Sequence, residues 1–176
     1  MNEDTYIDRW RGTRSADTPT RYSLDDIAYE LAAKFLDDGG PVEDWGCGGS
    51  YAKKFFVKSP YTGIDGTGDF ADVVADLRFF TSHTHGILIR GVLEHNFDWQ
   101  IILKNAIASC EKLCLSIFTP WSDGETKQIF WTESCRVPDL SFKKSDITSM
   151  LPPYTEETVA TATQYGTETI FYVTVK

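Results

Sequence analysis

The chain has 176 residues and a formal net charge of -9, and 41% of its residues are hydrophobic. This length suggests one domain with a packed core, and the acidic balance argues against a general grip on phosphate backbones, which needs clustered Lys and Arg. No apolar run approaches the roughly 18 residues of a membrane span, and the polar N-terminus does not resemble a secretory signal. We therefore expect a cytoplasmic protein that binds a small molecule or another protein, and neither a membrane protein nor a nucleic-acid binder.

The predicted elements alternate between helix and strand from residue 23 onward. Ser23 is a good N-cap for a first helix, which the sequence Asp38-Gly39-Gly40-Pro41 ends. Strands are predicted at 41–44, 61–65, 72–76, 86–90 and 113–118, with helices at 50–57 and 98–109. Short apolar strands that alternate with helices indicate a parallel sheet covered on both faces.

The C-terminal part of the chain changes to β-rich sequence. Residues 158–163 and 168–175 predict two antiparallel strands that are joined by a turn at Tyr165-Gly166. The non-periodic stretch 119–140 is too long for a simple connection, so we predict that it is a substrate lid or an insertion. The expected organisation is an N-terminal arm at 1–22 followed by a single α/β domain at 23–176.

The most informative motif is the turn after the first predicted strand, Asp44-Trp45-Gly46-Cys47-Gly48-Gly49-Ser50. Glycines at 46 and 48 let the backbone come close to a ligand, where a Cβ would collide. The carboxylate of Asp44 can accept a hydrogen bond from a cationic or hydroxylated ligand. A dinucleotide fingerprint would require a third glycine where Tyr51 stands, which disfavours a nicotinamide or flavin site.

Three further segments follow the next predicted strands. Asp65-Gly66 ends the second strand, where a carboxylate is suited to hold the two hydroxyls of a ribose. Asp76-Leu77 follows the third strand, and the sequence Arg90-Gly91-Val92-Leu93-Glu94-His95 follows the fourth. Each segment is weak evidence by itself, but four in this order and spacing are far more specific than any one.

These four segments resemble the cofactor motifs of the class I S-adenosylmethionine (SAM) methyltransferases over about residues 41–118, with Ser50 at the third glycine position. The resemblance implies a three-layer Rossmann-like α/β sandwich, whose mostly parallel seven-stranded sheet ends in an antiparallel C-terminal hairpin. It also implies SAM as cofactor and S-adenosyl-L-homocysteine as product. The residues that it assigns to cofactor binding are Asp44, Gly46, Cys47, Gly48, Asp65, Gly66, Asp76, Leu77, Arg90 and Gly91.

Candidates for catalysis follow the fourth strand. Methyl transfer from SAM requires an oriented nucleophile and, for many acceptors, a residue that removes a proton. His95 is the predicted general base, because its ordinary pKa suits proton removal near neutrality, and Glu94 is the second candidate. A helix-capping or merely packed histidine is the alternative interpretation of His95. The predicted substrate-contacting residues are Trp10, Arg14, Trp121 and Trp131.

Motifs of other methyltransferase classes are missing from the expected positions. No Asn/Asp-Pro-Pro-Tyr follows the fourth strand and no cysteine follows a proline, which argues against enzymes that methylate nucleobases. Gly91 replaces the first ligand of a Glu-x-x-Glu-His metal site, so no metal is predicted. The predicted function is SAM-dependent methylation of a small-molecule or sugar-like acceptor at oxygen. A degenerate SAM-binding partner subunit and a protein methyltransferase stay open as alternatives.

Overall fold

The computed structural model describes residues 26–66, 68, 70–132 and 136–176. Its helices and strands are, in chain order, α1 (Asp26–Leu36), β1 (Val42–Trp45), β2 (Tyr61–Asp65), β3 (Val73–Val74), β4 (Thr84–Arg90), α2 (Trp99–Ser109), β5 (Cys110–Ile117), β6 (Lys127–Thr132), β7 (Val137–Ser141), α3 (Lys144–Thr148), β8 (Tyr154–Ala160) and β9 (Thr167–Thr174). Short 3-10 helices follow β1 and β4, at Tyr51–Phe55 and Leu93–His95. The predicted cap at Ser23 lies outside the described residues.

One seven-stranded sheet, in the order β3-β2-β1-β4-β5-β9-β8, forms the centre of the fold. Strands β1 to β5 run parallel, whereas β9 lies antiparallel between β5 and β8. This confirms the predicted mostly parallel sheet with an antiparallel C-terminal hairpin. In such sheets ligands bind beyond the carboxyl ends of the strands, at the point where the strand order reverses. Here that point lies between β1 and β4.

Apolar layers cover both faces of the sheet. Side chains alternate along a strand, so Ile87 and Ile89 of β4 pack with α2 on one face, whereas Leu88 packs with α1 on the other. By the same alternation Arg90 points to the face of α1. Asp44, which pairs with Leu88 in the parallel register, lies on that face too. Among the described residues, no helix is both long and apolar enough to cross a membrane.

The prediction of a helix at 50–57 is wrong, because the structure has a 3-10 helix of only 5 residues there, at Tyr51–Phe55. The carboxylate of Asp37 provides the physical reason. It accepts hydrogen bonds from the backbone N–H groups of Val57, Lys58 and Ser59, at 3.2, 2.9 and 2.7 Å. These N–H groups are the ones that a longer helix would direct to its own carbonyls, so the chain turns into β2 instead.

The stretch 119–140, which we predict to be a substrate lid or an insertion, contains strand β6 and most of strand β7. Strands β6 and β7 pair antiparallel as a separate two-stranded sheet. All five residues of β7 are buried, and this strand lies against the 3-10 helix that follows β4. The sequence hides the strand, because Pro138 and Asp139 are residue types that strands disfavour.

His85 lies between two carboxylates near the amino-terminal end of β4. Its Nδ1 is 2.8 Å from Glu111 Oε2 and its Nε2 is 2.9 Å from Asp38 Oδ1. Lys112 Nζ lies 2.6 Å from the other oxygen of Asp38. The hydrogen bonds to Asp38 and Glu111 raise the pKa of His85, whereas Lys112 and then His85 hold the pKa of Asp38 well below its usual range.

The cluster of His85, Asp38, Glu111 and Lys112 should make the free energy of unfolding fall as pH rises. The raised pKa of His85 stabilises the fold fully below about 6.5, the ordinary pKa of His, and the contribution is lost as pH rises through the raised value. Because the groups are partly exposed, we expect a loss below about 1 kcal/mol. Urea unfolding at pH 6 and pH 9 measures it as the difference between the wild type and His85→Gln, because Asp44, Glu94 and His95 also have raised pKa values and contribute a loss of stability over this range. His83→Gln serves as control, and an unreduced loss in His85→Gln would contradict this assignment.

Candidate cofactor and catalytic site

The turn after β1 requires glycine at its first position for two reasons. Gly46 has a φ of 81°, and a Cβ there would lie 2.3 Å from Val92 Cγ2, so a side chain would collide with the segment after β4. Gly48 and Ser50 are also left-handed, with φ of 51° and 55°. Ser50 thus adopts the conformation for which glycine is the usual residue, and its hydroxyl donates a hydrogen bond to the carbonyl of Phe70 at 2.8 Å.

Asp65 joins the end of β2 to this turn. The backbone N–H of Gly48 donates a hydrogen bond to Asp65 Oδ2 at 2.9 Å. The side chain is half-buried, so the carboxylate lies at the surface of the turn. The Cys47 thiol points the other way and is buried against Gly63, where an added Cβ would lie 2.9 Å from the sulfur. The structure therefore brings together the glycine turn and the predicted ribose-binding carboxylate.

Asp44 is buried beneath the turn with only 5% of its surface exposed. Burial raises the pKa of its carboxyl to about 7, and the charge of Asp65 adds to the shift, while a hydrogen bond from Tyr61 opposes it. The Tyr61 hydroxyl donates to Asp44 Oδ2 at 2.6 Å. A cation that bound beside Asp44 would favour the ionised carboxylate. A ligand with a positive charge therefore suits this position.

Arg90 ends β4 and forms a buried ion pair with Glu168 of β9, with side chains 9% and 1% exposed. Arg90 donates hydrogen bonds to both oxygens of Glu168, and Ser116 Oγ donates a further one at 2.6 Å. The guanidinium also lies 4.3 Å from the centre of the Tyr29 ring. The side chain of Arg90 is thus engaged inside the fold, which leaves its backbone for the contact predicted at the end of this strand.

Asp76, the predicted partner of adenine, is held by Arg78. Arg78 Nε lies 3.0 Å from Asp76 Oδ1 and Arg78 Nη2 lies 2.6 Å from Asp76 Oδ2. The Asn105 amide of α2 donates hydrogen bonds to the carbonyls of Leu77 and Arg78, at 3.1 and 3.0 Å, and so fixes the loop after β3. An adenine amine would therefore have to share the Asp76 carboxylate with Arg78.

His95 is paired with Asp139, a residue that the sequence did not single out. His95 Nδ1 lies 2.9 Å from the Pro138 carbonyl oxygen and 3.2 Å from Asp139 Oδ1. A carbonyl oxygen can only accept, so Nδ1 carries a proton and Nε2 is the basic nitrogen of the neutral ring. The other oxygen of Asp139 accepts hydrogen bonds from Gln164 and from the Tyr165 hydroxyl, the latter at 2.9 Å.

The electrostatics of this pair suit a general base. Burial lowers the pKa of His95, but the contact with Asp139 and the charge of Glu94 outweigh burial, and the net direction is upward. Burial raises the pKa of Asp139, but His95 and the hydrogen bonds from Tyr165 and Gln164 outweigh it, so this carboxylate stays ionised. The Pro138 carbonyl fixes Nδ1 by a hydrogen bond, and the ionised carboxylate of Asp139, whose near oxygen makes no hydrogen bond within the described residues, stabilises a positive charge on the ring.

Comparisons with known proteins identify the fold of the chain. No family model and no curated protein matches the sequence. Among solved structures, the 1,6-didemethyltoxoflavin-N1-methyltransferase of Burkholderia thailandensis, with 1,6-didemethyltoxoflavin and S-adenosylhomocysteine bound, is 15% identical with a TM-score of 0.73, over 99% of this chain and 90% of that chain. The magnesium protoporphyrin IX methyltransferase of Synechocystis PCC 6803, with S-adenosylhomocysteine bound, is 16% identical with a TM-score of 0.62, over 98% and 95%. The chain has the class I methyltransferase fold.

The same architecture is shared more widely. A Rhodobacter sphaeroides protein assigned to the zinc-dependent alcohol dehydrogenases is 9% identical with a TM-score of 0.66, over 98% of this chain and 100% of that chain. A methyltransferase fold therefore does not establish an activity by itself. The function has to be inferred from the residues at the carboxyl edge of the sheet.

Glu94 lies deeper in the methyltransferase fold than His95 and is fully buried. One oxygen accepts a hydrogen bond from the backbone N–H of Phe118 at 2.7 Å, which joins the segment after β4 to the end of β5. The other oxygen has no hydrogen-bond partner within the described residues, and burial raises the pKa of Glu94 to about 7. This position favours a role in shaping the site over direct contact with an acceptor.

The predicted substrate residues are not brought together by the described part of the fold. Trp10 and Arg14 lie outside the described residues. The Trp121 indole donates a hydrogen bond to Thr169 Oγ1 at 3.2 Å and packs edge-on against Phe171. Trp131 lies in β6 opposite Pro138, next to the strand that carries Asp139. In the part of the chain that the structure describes, no cluster of three or more His, Cys, Asp or Glu could hold a metal ion.

Proposed function

We propose that the protein is a SAM-dependent methyltransferase that methylates a small-molecule acceptor at oxygen. The observation that carries the proposal is the cradle formed by Gly46, Gly48 and Asp65 at the carboxyl edge of the seven-stranded sheet, the edge at which His95 follows β4 and meets Asp139 of β7. A Cβ at Gly48 would have nothing within 4 Å, so the turn borders open space there, whereas a Cβ at Gly46 would collide with Val92. The buried carboxyl of Asp44 beneath this turn suits a cofactor with a positive charge, and SAM carries one on its sulfonium.

Each part of the cradle has a separate task in this proposal. Asp65 holds ribose hydroxyls, and the turn from Gly46 to Gly48 provides backbone close to the cofactor. The loop at Asp76 and Leu77 faces the adenine, and the backbone of Arg90 and Gly91 meets the methionine portion. SAM supplies a methyl group that is activated by the neighbouring sulfonium.

His95 performs the proton transfer in this mechanism. Its Nε2 accepts the proton of the acceptor hydroxyl, so that the oxygen becomes the nucleophile. The Pro138 carbonyl holds the Nδ1 side of the ring, and the charge of Asp139 stabilises the imidazolium that results. The proton leaves from Nε2 to solvent after transfer, which restores the neutral ring. The two compared methyltransferases are named for small molecules, which supports a small-molecule acceptor.

A second candidate function is a SAM-binding partner subunit without activity of its own. The specific observation in its favour is the Asp76–Arg78 ion pair, which occupies the carboxylate predicted to meet adenine. The short 3-10 helix after the glycine turn also departs from the predicted helix. Both candidates require SAM binding, and they differ in turnover.

Calorimetric titration with SAM tests the shared requirement. Asp65→Ala should weaken SAM affinity by about 10- to 100-fold, because hydrogen bonds to a charged group contribute about 1.5–3 kcal/mol. Asp65→Asn keeps an oxygen that can accept from Gly48 and separates the loss of charge from damage to the turn. Asp123→Ala, at an exposed position in the loop after β5, is the matched control. A wild-type protein that does not bind SAM would refute the proposal, and an unchanged affinity in Asp65→Ala would refute the ribose assignment.

Turnover separates the two candidates. The protein is incubated with SAM that carries a labelled methyl group and with a panel of hydroxylated small molecules. Transfer of label to an acceptor, lost in His95→Gln, supports the methyltransferase. Tight SAM binding with no labelled product from the panel or from any cell extract favours the partner subunit.

A further inference from the structure

An aromatic surface lies beside the proposed base and has no part in the function described so far. Phe118, the residue directly after β5, stacks on Tyr165 with ring centres 5.9 Å apart and an interplanar angle of 28°. The Phe118 ring also lies 5.5 Å from the ring of His95. Phe118 and Tyr165 are both half-buried, so each keeps part of its surface open.

The position of Phe118 connects this surface to the predicted methyl-donor side of the cleft. A Cβ on Gly91 would lie 3.8 Å from Phe118 Cε1, so the ring packs against the backbone at the end of β4. That backbone is where the proposed function places the methionine portion of SAM. Phe118 therefore borders both the base and the proposed site of the cofactor, so an acceptor held between these two would contact its ring.

The second ring is fixed by the same carboxylate that forms the ion pair with the base. The Tyr165 hydroxyl donates its hydrogen bond to Asp139, and Tyr165 comes from the turn between β8 and β9. The hydroxyl is thus already hydrogen-bonded, and what Tyr165 can offer an acceptor is the part of its ring that Phe118 leaves open. Flat aromatic rings bind such faces by offset stacking, which contributes about 0.5–1.5 kcal/mol beyond the burial of area.

The surrounding charge restricts the acceptor further. Asp139 stays ionised beside the base, so an anionic acceptor would be repelled. The strength of the base matters as well. An imidazole can take a proton readily from a phenol, with a pKa of about 10 as for Tyr, but poorly from an aliphatic hydroxyl, whose pKa is close to the 15.7 of water. Sugar hydroxyls are therefore poor partners for His95.

We propose that the acceptor is an uncharged, planar aromatic compound whose phenolic hydroxyl meets His95 while its ring stacks on Phe118 and Tyr165. This inference rests on the proposed function and names the substrate class of the same site. It replaces the sugar-like acceptor that the sequence left open. The aromatic surface sets the affinity for the acceptor, whereas His95 sets the rate of proton removal.

Two probes with one carbon skeleton test the inference. 2-Naphthol is planar and phenolic, whereas trans-decahydro-2-naphthol has a saturated ring system and an aliphatic hydroxyl. With labelled SAM, we expect transfer to 2-naphthol to be at least about 100-fold faster in kcat/KM, the size of one general-base contribution. Equal rates for the two probes, or label on neither, would overturn the inference. If SAM binding by calorimetry is intact, such a result leaves the proposed function standing, whereas absent SAM binding refutes both.

Variants of Tyr165 test whether the ring of the acceptor stacks on this residue. Tyr165→Leu should raise KM for 2-naphthol by roughly 2- to 10-fold, the equivalent of one aromatic pair, with SAM affinity unchanged. Tyr165→Phe keeps the ring and should keep KM, while it changes the pH profile through the lost bond to Asp139. Tyr154→Leu, an exposed aromatic on β8, is the control. Unchanged KM in Tyr165→Leu, with folding verified by the SAM titration, would overturn the stacking assignment.

Discussion

Glu168→Ala is expected to lower the free energy of unfolding by about 3–5 kcal/mol, the largest effect on stability that we predict for one side chain. The substitution would leave the guanidinium of Arg90, only 9% exposed, buried without its counter-ion. It would also remove the acceptor of the Ser116 hydroxyl. Unfolding in guanidinium chloride, followed by tryptophan fluorescence, measures the loss.

Matched variants distinguish this buried pair from an ordinary ion pair. Glu156→Ala breaks a pair with Lys144 whose side chains are 32% and 43% exposed, and it should cost less than about 1 kcal/mol. The double variant Arg90→Met with Glu168→Leu replaces the buried pair by apolar side chains and should recover most of the loss. A Glu168→Ala loss no larger than that of Glu156→Ala would contradict the structural assignment.

His95→Gln is expected to reduce kcat/KM for methyl transfer by about 10²- to 10⁴-fold, the usual contribution of a general base. SAM affinity should stay unchanged, since the hydrogen bond and the ion pair of the His95 ring are with Pro138 and Asp139 of β7. Initial rates with a labelled methyl group, together with calorimetry, measure the two quantities separately. A parallel loss of SAM affinity would show that His95 acts on the fold or the cofactor and not on the proton.

The pH profile of the wild type tests the same assignment. His95 has to be neutral to accept a proton, and its pKa is raised, so activity should fall as pH drops through a value above 6.5. Asp139→Asn removes the carboxylate that raises this pKa, and the fall should therefore move to lower pH. His83→Gln, in the loop before β4, should leave the profile in place. A profile that does not move in Asp139→Asn would rule out the pairing.

The parallel half of the fold could be predicted from the sequence, because each element carries its own local signal. The strand β4 is a short apolar run that ends at Arg90-Gly91, and the apolar spacing from Trp99 to Ala106 gives α2 within one residue of its observed start. The topology of the hairpin followed from the family resemblance. Its first strand was placed too late, because β8 begins directly after Pro153 and is mostly exposed.

The features that could not be predicted depend on contacts between distant parts of the chain. Asp37 captures three N–H groups about twenty residues later and so shortens the helix after β1. Asp139 lies in a strand without alternation, and only the fold shows that it reaches His95. Glu168 likewise reaches Arg90 only because β9 pairs with β5 in the observed register. No pattern in the sequence pairs these residues, since each pair is set by tertiary packing.

The turn between β8 and β9 is a poor place for added residues, although its exposure suggests otherwise. Its tip is exposed and contains Gly166 with a φ of 77°, features that usually mark a place where insertions are tolerated. Yet Gln164 and Tyr165 hold Asp139, and Glu168 just beyond them holds Arg90. An added residue would displace one set of contacts or turn Glu168 to the opposite face of the sheet. Related chains that keep the His95–Asp139 pair should therefore differ in length elsewhere, and a peptide tag is better placed in another loop.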